Sequence, residues 1–360
     1  MILVLNAGSS SLKYKLFELH GRDLVILKSG SVNDIGRKQC ANISEASKQI
    51  FAEIAPLSKN ISQVGHRIVF GGDKAKDGEE LTKASLANLL KVSHFAPLHN
   101  PSAVATIKYF SKVLACPHYL FYDDSFYSTL PETERIIPID QIISRKLGIQ
   151  RRGFHGISHQ YAFLNSDASK YSKVISIHIG AGSSLTAIMD GQAIATSMGL
   201  TPLGGICMLT RSGDIDPGVV TFLIKKMGIQ KTEHILNKQS GLTGIMGANL
   251  SFFDILYLAG EKIEDEAYHP HFGNIDESTR NNAKLALDVF ASRTKQFIGA
   301  YSATMGGVEA LLFTGRAGAG SSVLRSKICY GLDYLNLKQV ISFRPDEELA
   351  IANKIIKNIY

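Results

Sequence analysis

This 360-residue chain has only four cysteines, Cys40, Cys116, Cys207 and Cys329. They lie far apart, without the spacing of a zinc site or the density of a disulfide framework, so reduced, buried thiols are expected. Nowhere do eighteen apolar residues run together, and the start MILVLNAGSS has no basic segment ahead of a long apolar one. A membrane span and a secretory leader are therefore not signalled, and a cytoplasmic location is expected. Basic runs longer than a pair such as Arg151-Arg152 or Lys225-Lys226 are also missing, although 39 basic against 32 acidic residues leave a formal charge of +7. Scattered positive charge suits an anionic small ligand better than a nucleic-acid track. No low-complexity linker divides the chain, yet 360 residues at 45% hydrophobic exceed what one core comfortably serves, and two domains are expected.

What is present is a repeated tetrapeptide, AGSS, at Ala7–Ser10, Ala181–Ser184 and Ala319–Ser322. The first follows the apolar run ILVL and precedes LKYKLFEL, which alternates apolar and polar; the pattern reads as strand, turn, strand. The second sits in the same context, VISIHI before it and LTAIMDG after it, about half a chain later. Two matched hairpins predict two related domains. Glycine at such a turn lets the backbone approach an anion, with N–H groups and serine hydroxyls directed at phosphate oxygens. A surface turn that binds nothing is the alternative for one AGSS alone; two in matched contexts favour phosphate.

Helical periodicity fills the intervals. It covers SEASKQIFAEI, KASLANLLKVS and PSAVATIKYFSKVL, where Asn100 can cap a helix with Pro101 at its first position. PGVVTFLIKKM and KTEHILNKQ follow, then a segment from Ser278 with apolar residues at helical spacing for about seven turns. VEALLFTG reads as a buried strand, and DEELAIANKIIKNIY as a closing amphipathic helix. The class is α/β.

Several polar residues could carry chemistry. Arg67 in GHRIVFGG and Arg211 in LTRSGDIDPG are candidate oxyanion clamps, since a guanidinium fork matches carboxylate or phosphate; either could instead form a structural ion pair. His155 and His159, four apart in FHGISH, make a weak metal pair without a third ligand. A histidine donor at a reacting phosphoryl group fits better there, with a satisfied core imidazole as the alternative, and His178 beside the second turn has the same two readings. Asp123 and Asp124 point to opposite faces after an apolar strand, so at most one enters a site. Asn6 and Glu347 offer hard oxygen ligands for a phosphate-bound divalent ion.

In order and spacing, LVLNAGSSSLKYKLF, GHRIVFGG, APLHNP, RRGFHGISH, HIGAGSSLTAIMDG, TSMGLTPLGG, TRSGDIDPG and KQFIGAYSATMGGVEALLFT resemble the acetate and propionate kinase family of the sugar kinase and actin superfamily, almost end to end. The resemblance implies a two-domain actin-like ATPase (ribonuclease H-like) fold with an interdomain active-site cleft, one domain over 1–126 plus 346–360 and the other over 127–345. It implies Mg²⁺-assisted, reversible, direct in-line transfer of the ATP γ-phosphoryl to acetate or propionate, giving acyl phosphate and ADP, with Mn²⁺ as a possible substitute metal. Matched position by position, Asp123, His155 and Arg211 are catalytic. Arg67, Val69 and Pro202 hold the carboxylate and its alkyl tail, and Asn6 and Glu347 hold the metal. Lys13, His178, Ile179, Gly180, Ala181, Gly182, Ser251, Phe252, Phe253, Arg316, Ala317, Gly318, Ala319 and Gly320 fall on the nucleotide side. A homodimer is implied, with no nucleic-acid or membrane partner, and the helix from Ser278 suits either the dimer interface or the core.

Departures fall mainly on the nucleotide side. Phe70 and Tyr127 stand where the family usually has histidine, and Ala181 where it has asparagine. Arg316–Gly320 replaces Gly-Ile-Gly-Glu-Asn, and Ser251-Phe252-Phe253 replaces Asp-Phe-Arg. Lost donors at a polar ligand can cost a few kcal/mol each. Another phosphoryl donor, such as a different nucleoside triphosphate or pyrophosphate, and a binder without turnover are the alternatives this drift raises. The third AGSS lies on the nucleoside side, its likeness to the other two accidental.

Overall fold

The computed structural model describes residues 1–8, 11–21, 23–36, 40–97 and 99–357. Ser9 and Ser10 of the first AGSS lie outside the described residues. The chain divides into two compact units, Met1–Ser128 with Phe154–Tyr161 and Asp346–Tyr360, and Thr129–Gly153 with Ala162–Pro345.

In the first unit, strands β1 (Ile2–Ala7), β2 (Leu12–His20), β3 (Asp23–Val32), β4 (Gln63–Ile68), β5 (Glu79–Glu80) and β6 (His118–Tyr122) form one sheet, ordered β3-β2-β1-β4-β6-β5. β1 runs antiparallel to β2 and parallel to β4, and β4 runs parallel to β6. In the second unit, β7 (Lys173–Ile179), β8 (Ser183–Met189), β9 (Gln192–Thr196), β10 (Ala310–Thr314) and β11 (Gln339–Ser342) are ordered β11-β10-β7-β8-β9. β7 is antiparallel to β8 and parallel to β10, which is parallel to β11.

Apart from the two-residue β5, antiparallel to β6 at the edge of the first sheet, each sheet repeats one plan: an antiparallel meander on one side and parallel strands on the other. Even the irregularities match. The register shifts between Leu16 and Phe17 in β2 and between Ala187 and Ile188 in β8, after the fifth residue of each strand. Between β8 and β9, Asp190-Gly191 forms a tight turn with both residues at positive φ, 50° and 80°, which suits the twist of a hairpin.

Period-two alternation places the first unit's side chains. Leu3, Leu5 and Ala7 face a core with Leu12, Tyr14 and Leu16, whereas Ile2 and Val4 face another with Phe17, Phe121, Ile351 and Ile355. The second of these layers is the closing helix, Glu347–Lys357, laid against β1 and β4. It comes so close that a Cβ on Gly65 would lie 2.6 Å from Ile351 Cγ2.

Two expectations about local structure need correction. The first unit reaches Ser128 rather than residue 126 and reclaims Phe154–Tyr161, because Ile157 packs among Ile2, Val4 and Phe121. Asn100 does not cap its helix: the helix is Asn100–Val113 with His99 at the cap position. The buried Asn100 amide instead brackets the backbone of Phe70, accepting from Phe70 N at 3.2 Å and donating to Phe70 O at 2.8 Å. Two buried main-chain groups outcompete a helix end for that side chain.

The second unit's core is built on the 29-residue helix Glu277–Met305, about eight turns. Asp276 caps its start and Gly306 closes it in the left-handed region at φ 63°. Ala283, Ala286, Leu287, Phe290, Ile298 and Met305 line its buried face, making it a core helix. All four cysteines are free. Among the described residues, no helix is long and apolar enough to cross a membrane.

Candidate functional site

The alternation that buries Ile2 and Val4 brings Asn6, two residues further along β1, to the end of the same row. Its register partner on β4 is Arg67, two residues beyond Gly65, and Asp123 follows β6 two residues beyond Phe121. Three parallel strands thus deliver an amide, a guanidinium and a carboxylate at their carboxyl ends, the edge at which open α/β sheets bind ligands. The first turn of the closing helix adds Glu347 and Glu348.

Arg67 is the hub. Its Nη2 and Nε donate to Asp123 Oδ2 and Oδ1 at 2.7 and 3.2 Å, a two-pronged pair. Its Nη1 donates to Asn6 Oδ1 at 3.0 Å and lies 2.9 Å from Glu347 Oε2. The Asn6 amide nitrogen then donates to Glu347 Oε2 at 3.1 Å and to Glu348 Oε1 at 2.6 Å. Lys15 pairs with Asp346 and stands 3.6 Å from Glu348 Oε2. Four carboxylates, Asp123, Asp346, Glu347 and Glu348, therefore face two cations, Arg67 and Lys15, a local excess of negative charge.

Burial raises the Asp123 carboxyl above the usual carboxylate range; Arg67 works against that rise and the Glu347 charge adds to it. Burial alone would lower Arg67, but Asp123 and Glu347 outweigh it and the net shift is upward.

Only one of the two aspartates joins this hub. Asp124 turns the other way and accepts from the backbone N–H groups of Gly71 and Gly72, both at 3.0 Å at closest. Val69 is buried at the end of β4. Lys13 is exposed on β2, opposite Asn6 in register.

His155 enters through the backbone. It directly precedes the helix Gly156–Leu164 with φ 59°, a left-handed conformation uncommon for a residue with a Cβ. Gly156 N donates to Asp123 O at 3.0 Å, and a Cβ on Gly156 would come within 2.1 Å of that oxygen. Only glycine lets this peptide rest on Asp123. His159 is fully buried, and among the described residues no three His, Cys, Asp or Glu side chains are grouped to hold a metal.

In the second unit the AGSS turn joins β7 to β8, closed by Gly180 N on Gly182 O at 3.0 Å. His178 pairs with Ser184 on β8 and Thr314 on β10, and its Nε2 would stand 3.4 Å from a Cβ on Gly180. Ala181 is exposed at the tip and Ile179 is buried behind it. The Ser183 and Thr314 hydroxyls are buried at these strand ends without a hydrogen-bond partner among the described residues. Unmet hydroxyls beside a glycine turn suit a ligand that brings its own acceptors.

The helix Gly315–Gly320 sits on the end of β7: Gly315 has φ 77°, and a Cβ there would lie 2.5 Å from Ile179 O. Ala317 is buried against the core, and Gly318 faces Ile179 at 3.4 Å from a would-be Cβ. The carbonyls of Gly318 and Ala319 accept from Arg325 Nη1 at 2.9 and 2.7 Å. Arg316 lies over the Phe253 ring at 5.3 Å and donates to Asp265 Oδ2 at 3.0 Å, and a Cβ on Gly320 would sit 3.5 Å from Phe253 Cζ.

Ser251 caps the helix Phe252–Leu258 in a reciprocal box with Asp254. The structure thus gathers Phe253, Arg316 and Gly320, but Phe252 goes elsewhere: its ring packs edge-on against Phe290 at 5.0 Å inside the core. The third AGSS shares nothing with the turns. Ser321 caps the helix Ser322–Cys329, and Ser322 bonds Glu264.

Arg211 is the unusual cation. It is largely buried, and Nη1 donates to Pro202 O at 3.0 Å with Met208 Sδ at 3.7 Å, but among the described residues no carboxylate pairs with it. Burial pushes its pKa down to about 10, so it stays charged at neutral pH. Its loop is fixed from below: Gly241, at φ 60°, approaches so closely that a Cβ would lie 2.1 Å from Met208 O and 2.6 Å from Arg211 O.

Sequence reasoning missed Glu348. Consecutive helical residues point about 100° apart, so one of the pair is naturally assigned and the other discarded; here both reach an amide lying over the helix end. The signal was the doubled Glu in DEEL.

The family model described as the Acetokinase family matches residues 1–355. An acetate kinase of Bacillus cytotoxicus is 35% identical over 93% of this chain and 87% of its own length. Among solved structures, the acetate kinase of Porphyromonas gingivalis superposes with a TM-score of 0.85 at 29% identity, covering 100% of this chain and 99% of that one. A propionate kinase from Francisella tularensis gives 0.85 at 28% identity over 98% of each chain.

Proposed function

Since this chain belongs to the acetokinase family, of actin-like fold, and is a phosphotransferase acting on a carboxyl group, we propose that it transfers the γ-phosphoryl of ATP reversibly to acetate or propionate, giving acyl phosphate and ADP. The observation that carries this reading is the Arg67 hub, a buried guanidinium at three strand ends whose Nη2 has a second N–H beyond the one Asp123 takes. A carboxylate substrate is already ionised at neutral pH, so its oxygen can attack phosphorus without a base. Asp123 then orients Arg67 rather than removing a proton. The electron pair of the attacking oxygen forms the new P–O bond as the bond to the ADP oxygen breaks, and that oxygen keeps the leaving pair.

Loose phosphoryl transfer needs positioning and charge compensation more than covalent chemistry. We assign compensation to Arg211, whose charge no carboxylate neutralises among the described residues, and to His155 as a donor. Val69 and Pro202 are assigned to the alkyl tail, Lys13, His178 and the 179–182 turn to donor phosphates, and Phe253 with 316–320 to the nucleoside. The donor set fits Mg²⁺: hard oxygens of Glu347 and Asn6 lie within a cluster carrying excess negative charge, and a phosphate-bound Mg²⁺ takes only one or two protein carboxylates. Bound there, it would neutralise phosphate charge.

One observation favours a second reading, a different phosphoryl donor. Arg316 already covers a face of the Phe253 ring and is tied to Asp265, so the expected nucleoside side is packed with the chain's own side chains. Trapping acyl phosphate with hydroxylamine decides between them, with ATP, GTP and pyrophosphate each tested against acetate, propionate and butyrate. Product with ATP and a two- or three-carbon acid is expected. Product only with GTP or only with pyrophosphate would establish the second reading, and none under any combination would refute both. Acetate and propionate differ by one methylene, worth about 1–3 kcal/mol in an apolar pocket, so a preference of about ten- to two-hundredfold is expected.

A further inference from the structure

Phe70 and Tyr127, which stand where imidazoles were expected, surround the residue before His155. Tyr127 is almost fully buried, and its phenol donates to the carbonyl of Phe154 at 2.7 Å. The Phe154 ring is also buried, 6.3 Å from that of Phe70, whose own backbone is held on both sides by the Asn100 amide. Phe154 is thus gripped at its ring and at its carbonyl. The next residue is His155 at φ 59°, followed by the Gly156 N–H that rests on Asp123 O.

A left-handed residue with a Cβ persists only where its surroundings hold it. Gly153, itself left-handed at φ 75°, leads into this segment. The carbonyl clamp, the Asp123 contact and the bond from His159 N to His155 O at 2.9 Å are polar restraints on the two peptides flanking His155.

We propose that Tyr127 is a positioning residue for His155: its hydroxyl, bonded to the Phe154 carbonyl, holds the histidine backbone in the left-handed conformation that aims the imidazole. The phenol supplies a hydrogen bond to the main chain where an imidazole could have contacted a ligand directly. Losing histidine at position 127 therefore need not lower efficiency, because the donor is redirected from ligand to scaffold. The consequence for turnover rests on the assignment of His155 above; the positional claim does not.

Tyr127→Phe in the full chain removes the hydroxyl alone. The Phe154 carbonyl loses its donor, the 154–155 peptide relaxes, and kcat should fall about tenfold while KM for carboxylate and for nucleotide stays within twofold. Combined with His155→Ala, it should add less than twofold to the loss of His155→Ala alone. In the ligand-free protein the His155 imidazole resonance should shift between wild type and Tyr127→Phe. Tyr127→His, which keeps a ring N–H, should retain kcat within about threefold of wild type; should Tyr127→Phe fold poorly, Tyr127→Met, which also lacks a donor, takes its place in the same comparisons.

An unmoved His155 resonance, or losses that simply multiply in the double variant, would overturn the proposal. If His155→Ala keeps full turnover, the catalytic assignment of His155 falls, and the resonance shift alone still decides whether Tyr127 positions it.

Discussion

Arg211→Ala should lower kcat by about 10²–10³, the loss seen when a preorganised charge-stabilising donor is removed from a transition state. KM for the carboxylate should change by less than about threefold and the melting temperature by a few degrees at most, checked by initial rates and calorimetry. The asymmetry follows from what Arg211 lacks. Its charge is largely buried with Pro202 O and Met208 Sδ as neutral neighbours and no carboxylate among the described residues, so the folded protein gains little from holding it. Its folded pKa, about 10, lies below the ordinary arginine value. The unfolded chain therefore binds that proton more tightly, the burial penalty is in force throughout the neutral range, and it lifts only as pH rises past 10. We assign this charge to a phosphoryl group in flight.

Arg67→Ala should behave in the opposite way, losing stability as well as turnover. Removing one partner of a buried, hydrogen-bonded ion pair leaves the other uncompensated and costs about 3–5 kcal/mol. Here Asp123 would be stranded at 1% exposure and Glu347 and Asn6 would lose a shared donor. The deficit should depend on pH with a definite sign. Asp123 titrates above the ordinary carboxylate range because it is buried, and without Arg67 the rise is larger. The folded variant then binds more protons than the unfolded chain, so its instability is full above the raised pKa and shrinks as pH falls through it. Urea unfolding of wild type and variant across that range checks both size and direction. An equal deficit at every pH would mean that Asp123 is not the stranded group.

The hub was legible because period-two alternation carries so much of it. Once Ile2 and Val4 are assigned to one face, Asn6 must share it, and the same spacing links Gly65 to Arg67 and Phe121 to Asp123. The opposed directions of Asp123 and Asp124 followed from the same rule and hold in the structure. The duplicated hairpins were legible for a related reason: AGSS with matched flanking strands is a local pattern, and the two sheets carry it into one shared strand order.

What sequence reasoning missed is decided by tertiary competition for partners, polar and apolar. Asn100 beside Pro101 has the composition of a helix cap, but the backbone of Phe70, thirty positions away, claims its amide. Phe252 sits one residue from the Arg316 contact and turns into the core because Phe290 is there to receive it. The return of Phe154–Tyr161 to the first unit depends on Ile157 finding partners on strands more than a hundred residues earlier. Local periodicity carries no information about such distant partners.

The central claim is that an oxygen of the acid itself attacks phosphorus. Acetate, or propionate if that is the better substrate, labelled with ¹⁸O in both carboxyl oxygens and turned over with the active donor, tests it most directly through ³¹P resonance of the acyl phosphate. The account predicts one ¹⁸O bonded to phosphorus in every molecule of acyl phosphate formed and none in the released donor product. Acyl phosphate whose phosphorus carries only unlabelled oxygen would contradict it.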